Sequence, residues 1–335
     1  MTNGEASVPT TQDRKKKNLK RVLYTMAAIF LILLLALLYY LFTQRPIIRT
    51  VPGLPKQGPR FVKSVFGDFT DLLGIAVNRK GDKFFVVDGA AAKVWMVNKD
   101  GRILGSFGKR AETPETEDGF GSPISVAVGP NDEVYVADRL GARVLVFSPT
   151  GKFVRRFRPA DATFAWSPIG ITVDSKNNVY ISDATKGQHR ILKFDKDGKL
   201  LMQFGKEGTG KREFNFANAV AVATNGDIYV CDSNNARLQV FDSKGKLLRI
   251  ITGTAAGAFT HPTGLDITRN NEVHVVESFG HDVQVYNRDG GFLYSFGEFG
   301  IADGQYRYPK GIAITTDGTV FVTDHDNRRI QIWKY

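Results

Sequence analysis

A single cysteine, Cys231, excludes an intramolecular disulfide, so the fold must be held by burial and strand pairing. Cys231 itself is expected as a small apolar side chain inside a strand. The sequence has no Walker loop, nucleophile elbow, paired-cysteine zinc pattern or H-E-x-x-H, which removes the usual signatures of phosphate, acyl-transfer and zinc-hydrolase chemistry. Its five histidines, His189, His261, His274, His281 and His325, are spread mostly over expected loops. Net charge is +11, but residues 1–21 carry +4, residues 22–60 another +4, and residues 61–335 only +3. A domain that binds nucleic acid concentrates its cations on its own surface, so no nucleic-acid partner is expected.

Charged residues are also missing from Val22 to Phe42, a run long enough to match a hydrocarbon core of ~30 Å as a helix. The run exceeds a signal-peptide core, and Thr43-Gln44-Arg45-Pro46 shows no small-x-small cleavage pattern, so an uncleaved single-pass anchor over 22–42 is expected. Six basic residues precede it, which predicts a cytoplasmic tail over 1–21 and an exported remainder, periplasmic or extracellular. Pro46, Pro52, Pro55 and Pro59 make residues 43–60 an extended spacer.

From residue 61 onward the chain repeats itself. Each unit has an apolar run, a polar turn, an alternating strand ending in an acid, a second alternating strand, a Gly-bearing turn and a last apolar strand. The terminal acids are Asp88, Asp138, Asp183, Asp232, Glu277 and Asp324, spaced by 50, 45, 49, 45 and 47 residues, as four-stranded propeller blades require. The pattern predicts an all-β, six-bladed propeller of antiparallel blades over 61–335, preceded by one transmembrane helix. The sixth unit supplies three strands, and Phe61–Gly67 matches the fourth-strand pattern of Gly291–Gly297, so Phe61–Phe66 is expected to pair with the last blade and close the ring.

The recurring Pro-x-Gly, Asn-x-Arg and Phe-Gly elements, as in Asp324-His325-Asp326-Asn327-Arg328-Arg329-Ile330-Gln331-Ile332-Trp333, resemble NHL repeats. The resemblance implies a six-bladed propeller and leaves function open. Such propellers bind proteins, sugars or RNA, serve as sensor domains, and include the peptide-amidating lyases as distant enzymes.

The acid and base flanking the loop after each second strand, Asp88/Lys93, Asp138/Arg143, Asp183/Arg190, Asp232/Arg237 and Asp324/Arg329, recur in five blades. A catalytic pair appears once or twice, whereas a pair repeated around a ring braces loops. Phe69, Phe120, Phe214, Phe259 and Tyr306 recur before the inner strand and are expected to pack beneath the connecting loops. Trp166, Phe216 and Tyr308 fall off that register, on the long connections between blades. Those connections share one face with the second-to-third-strand loops, so this face is where binding is expected.

Blade five departs from its siblings: Asp266 stands in an inner strand, His274 replaces a tyrosine, Glu277 replaces the terminal Asp, and Asp282 stands where a base is expected, next to His281. Glu277, His281 and Asp282 join the candidate binding residues, with drift into a solvated acidic patch as the simpler account. Asp266, His274, Glu277 and His281 form an alternative divalent-metal set, which would make the chain a propeller-type lyase or hydrolase. With Asp266 the only ionisable group expected in the inner strands, the favoured reading has no cofactor and no catalytic residues. It is a membrane-anchored module that binds a protein, peptide or envelope glycan; a further reading is a subunit of a membrane complex.

Overall fold

The computed structural model describes residues 20–35, 48–50, 58–113, 116–161, 164–254 and 257–335. Residues 20–35 form a helix that belongs to a separate unit, Met1–Arg45. No helix among the described residues is long and apolar enough to cross a membrane, so the span expected over 22–42 is not shown. Residues 36–42, the tail before residue 20 and most of the 43–60 spacer lie outside the described residues.

In the unit Pro46–Tyr335 the described strands form a ring of six antiparallel sheets. The inner strands of blades one to six are Leu72–Val77, Pro123–Val128, Pro168–Val173, Ala217–Val222, Pro262–Ile267 and Pro309–Ile314. In blades one to five the chain then meanders outward through three more strands, ending at Ile103–Phe107, Phe153–Phe157, Leu200–Phe204, Leu247–Ile251 and Phe292–Phe296. Blade six is completed from the other end of the ring. Arg60–Phe66 pairs antiparallel with Arg329–Lys334, setting Val65 opposite Ile330 and Phe66 opposite Arg329. Blade five has a fifth strand, Ile48–Thr50, on its outer edge, with Ile48 opposite Phe296 and Thr50 opposite Tyr294.

Alternation along the strands places the cores between blades. Six buried clusters result, each made by two neighbouring blades. The one that closes the ring joins Val65, Ile330 and Ile332 of blade six to Leu72, Phe84 and Val86 of blade one, with Phe84 stacked on Phe321 at 3.6 Å between centroids. Burial of such aromatic and branched side chains contributes roughly 1.5–3 kcal/mol each, so closure adds a full inter-blade core to the pairing of two strands.

Two glycine positions follow from close approach. The third residue of the inner strand is Gly74, Gly170, Gly264 or Gly311 in blades one, three, five and six, because adjacent inner strands nearly touch there. A Cβ on Gly264 would sit 2.4 Å from the carbonyl oxygen of Lys310, and one on Gly311 would sit 2.6 Å from that of Leu73. The glycine of Phe-Gly ends the outer strand: Gly108, Gly205 and Gly297 have φ of +88°, +95° and +90°. A Cβ at each would meet the ring of Phe120, Phe214 or Tyr306 at 2.3 Å. Those aromatics are fully buried, and Phe69 and Phe259 nearly so, each tucked under its connecting loop.

Candidate functional site

The long connections and the second-to-third-strand loops meet on one face, and the repeated acids hold them there. Asp138 accepts backbone N–H groups of Gly121 and Ser122 and the Arg143 Nε at 3.0 Å. Asp183–Arg190, Asp232–Arg237 and Asp324–Arg329 repeat the arrangement at 2.8, 2.7 and 2.7 Å. The four carboxylates are fully buried, and each arginine also donates to carbonyl oxygens of the preceding connection, as Arg329 does to Ala302 and Gln305. These groups therefore brace loops. Blade one differs from expectation: Lys93 lies opposite Asp88 in register, yet Asp88 takes its bonds from Thr70, Asp71, Ala91 and the Trp95 indole. Lys93 instead lies over the Trp95 ring at 5.8 Å.

Trp166 does not face a ligand. It is 8% exposed, packs edge-on against Phe194, and donates its indole N–H to the Ala142 carbonyl at 2.8 Å. Phe216 and Tyr308 do lie on the loop face, half-buried, and share an unusual backbone. Their φ values are +52° and +50°, a left-handed region that bulky side chains rarely occupy. In both cases a histidine from the preceding blade holds the turn. The Phe216 N–H donates to His189 Nδ1 at 3.4 Å, and the Tyr308 N–H donates to His281 Nδ1 at 3.1 Å. The rings then pack on those imidazoles at 5.0 and 4.8 Å.

Around Tyr308 the contacts extend into a run of five rings across the loops of blades five and six. His261 stacks on Phe279 at 4.8 Å, Phe279 meets Tyr308 at 6.0 Å, Tyr308 meets His281, and His281 meets Phe299 at 4.8 Å. Phe279 and Phe299 are 56% and 62% exposed, and Ile301 beside Phe299 in sequence is 73% exposed. Burial, the largest influence on both, holds the His261 and His281 imidazoles below their ordinary pKa. That direction favours the uncharged ring, which suits an apolar contact surface.

The other blade-five residues are dispersed. Glu277 and Asp282 face each other in register but are buried, not solvated as drift would have left them. Glu277 accepts from the Thr260 hydroxyl and the His261 N–H, and burial raises its pKa. His274, expected in a half-buried aromatic slot, is fully buried, with its Nε2 hydrogen-bonded to the Tyr335 hydroxyl. Asp266 accepts N–H groups of Ile267 and Ile314 at 2.8 and 2.7 Å, and burial raises its pKa to about 6. Each member of the alternative metal set is thus engaged elsewhere, and among the described residues no three acids, histidines or cysteines gather to hold an ion.

Within the ring, the inner strands enclose a cup of about 260 Å³ that includes the second to fourth residues of most of those strands. The second positions form a divided rim: Leu73, Ile124 and Ile169 from blades one to three, then Asn218, Thr263 and Lys310 from blades four to six. Below the small third residues, Ile75, Val126, Ile171, Val220, Leu265 and Ile312 make an apolar floor. Lys310 departs from the expected channel. The inner strand of blade six begins at Pro309, so Lys310 joins Asp266 as an ionisable group of the inner strands, where Asp266 alone is expected from the sequence. The Lys310 ammonium donates to Ser278 Oγ at 3.1 Å, and burial lowers its pKa against the opposing pull of Asp326 and Asp71. Those carboxylates are shared with His325, whose Nδ1 lies 3.0 Å from Asp71 and whose pKa that contact raises. Arg139, from the loop after Asp138, also lines the cup, with its guanidinium 5.5 Å from the centre of the Phe216 ring.

Comparison with known proteins agrees with this architecture. NHL repeat-containing protein 3 of Mus musculus is 28% identical over 208 residues, 59% of this chain and 57% of that protein. The probable peptidyl-alpha-hydroxyglycine alpha-amidating lyase pgal-1 of Caenorhabditis elegans is 29% identical over 161 residues, 45% of this chain and 42% of that one. The chain thus spans about half the length of these relatives. Among solved structures, XC5397 of Xanthomonas campestris, described as a gluconolactonase, superposes with a TM-score of 0.62 at 13% identity, covering 86% of this chain and 99% of its own. At that identity the likeness concerns the fold alone. The NHL repeat matches residues 214–241 and 306–333, spanning the bracing pairs Asp232–Arg237 and Asp324–Arg329, so this is a six-bladed β-propeller carrying NHL repeats.

Proposed function

We propose that this chain is a binding module whose loop face takes a protein or peptide. The observation that carries the reading is the five-ring run His261–Phe279–Tyr308–His281–Phe299, whose central Tyr308 is kept in left-handed backbone by His281 while Phe279 and Phe299 remain mostly exposed. Strain retained at a surface position and exposed aromatics on a braced scaffold are features of contact surfaces, where a few buried rings carry most of the affinity. An envelope glycan stacked on the same rings is a weaker fit, because Ile301 and Leu140 add exposed aliphatic surface to this face. In this proposal Val22–Phe42, free of charge, anchors the protein in the cytoplasmic membrane, with the propeller on the outer side.

Affinity capture from cell-envelope extract with the full chain tests the reading. Phe279→Ala with Phe299→Ala is expected to lose a partner that the unchanged chain retains, with the fold intact by circular dichroism. Equal capture by both would refute it. Labelling of single cysteines placed at residue 5 and residue 150 in intact cells tests the orientation, with only the latter expected to react with an impermeant reagent.

A further inference from the structure

The cup inside the ring has a chemistry of its own. Its lining holds two ionisable residues, Lys310 and Arg139, and both are cationic. The acids nearest in effect to Lys310, Asp71 and Asp326, are not part of the lining and already serve His325, with Asp326 also 3.6 Å from Arg307. Lys310 spends one donor on Ser278 and keeps two. The Arg139 guanidinium lies 5.5 Å from the centre of the Phe216 ring, and among the described residues no hydrogen bond or ion pair engages its N–H groups, which leaves them available. Opposite Lys310 the walls are mainly aliphatic: Leu73, Ile124 and Ile169 on the rim, with Ser125 as a hydroxyl below them, and six branched side chains on the floor. The rim thus presents hydrogen-bond donors and acceptors on one half and bare hydrocarbon on the other.

From this division we infer that the cup is a binding site for a small amphipathic monocarboxylate, its carboxylate at the Lys310–Asn218 half of the rim and its hydrocarbon tail on the floor. The size supports a small ligand: about 260 Å³ lies just under the ~300–1,000 Å³ usual for drug-sized molecules. A phosphate head fits less well, because the lining offers two cations and no glycine-rich run of backbone N–H groups, the usual phosphate cradle. A planar carboxylate matches both the ammonium and the arginine fork. This site uses none of the five rings proposed for the macromolecular partner, so it stands or falls independently of that reading.

The test is titration of the full chain with hexanoate, followed by calorimetry and ligand-observed NMR, beside methyl hexanoate, 1-hexanol, hexylamine and butyl phosphate. Saturable binding of one hexanoate, at least tenfold tighter than any of the other four, is the expected result. Lys310→Met should weaken hexanoate at least tenfold without changing 1-hexanol. Arg139→Gln, on an exposed loop and harmless to folding, should weaken it severalfold. A peptide ending in an unmodified leucine, compared with its amide, distinguishes a free acid from a chain terminus as the source of the carboxylate. Equal binding of hexanoate and its methyl ester, preference for hexylamine or butyl phosphate, or hexanoate binding unchanged in both variants would overturn the inference. Loss of partner capture in the Phe279 and Phe299 variant with hexanoate binding retained would separate the two sites.

Discussion

The Tyr335 hydroxyl bridges two side chains of blade five, His274 and Tyr294, although Tyr335 follows the third strand of blade six. The same ring packs edge-on to the His274 imidazole at 5.9 Å. A tyrosine beyond the strand pairing thus ties the last blade to its neighbour, and does so through a histidine that burial holds at a pKa of about 4.

The pH dependence of that tie follows from linkage. The His274 pKa is depressed in the folded state, so its contribution is complete above about 6.5, the unfolded value, and is lost as pH falls toward about 4. The loss amounts to on the order of 3 kcal/mol for a shift of this size. Urea melts between pH 4 and 7, made in an Asp266→Asn background that removes an opposing titration, should show the acid loss with and without Tyr335→Phe, the chain carrying Tyr335→Phe being less stable throughout. A His274→Phe variant should lack the histidine's share of that slope.

Asp266 should act in the opposite sense. Its folded pKa is raised to about 6, so its contribution is present at low pH and lost as pH rises from about 3.8 through 6. Asp266 and His274 are register partners whose titrations overlap, and their slopes largely cancel. Asp266→Asn is therefore expected to steepen the acid destabilisation, and His274→Phe to reverse it. Parallel stability curves for the two variants between pH 4 and 6.5 would contradict this.

Breaking a brace should cost more than a surface pair would. Arg329 is 4% exposed and Asp324 is fully buried, so Arg329→Met strands a carboxylate and should lose about 3–5 kcal/mol. The exposed pair Lys196–Asp197 provides the control; Lys196→Met is expected to change stability by under ~1 kcal/mol. Denaturant midpoints measured side by side decide it.

The repeat was legible because its physics is local. Spaced acids, Gly-bearing turns and alternating runs are read one blade at a time, and the match between Phe61–Gly67 and Gly291–Gly297 exposed a missing strand. What escaped depended on contacts between blades. Trp166 looked free because its register was irregular, yet it packs into the core shared by blades two and three. Lys310 and Arg139 carry no sequence signal of their own: one sits in the inner strand of blade six, and the other is brought over Phe216 only by the fold. His274 and Glu277 carried the right signal of difference, but whether acids and imidazoles converge is set by the packing of neighbouring blades. The charge-free run 22–42 remains legible as an apolar segment, although the described helix, residues 20–35, covers only part of it.

The close approach of inner strands makes another prediction. Gly264→Ala places a methyl group 2.4 Å from the Lys310 carbonyl oxygen, which should cost about 1–3 kcal/mol. Gly187→Ala, where nothing lies within 4 Å but φ is +78°, separates crowding from backbone strain. The first variant should perturb resonances of the cup residues, and the second should leave them in place.

The strand Ile48–Thr50 on the rim of blade five, followed in sequence by the ring-closing strand Arg60–Phe66, fixes how load enters this molecule. Tension applied from the amino-terminal side meets a three-residue pairing first and the closure of the ring second, before any complete blade is strained. A chain pulled from that side is therefore expected to yield at those two seams ahead of the sheets that are complete in themselves.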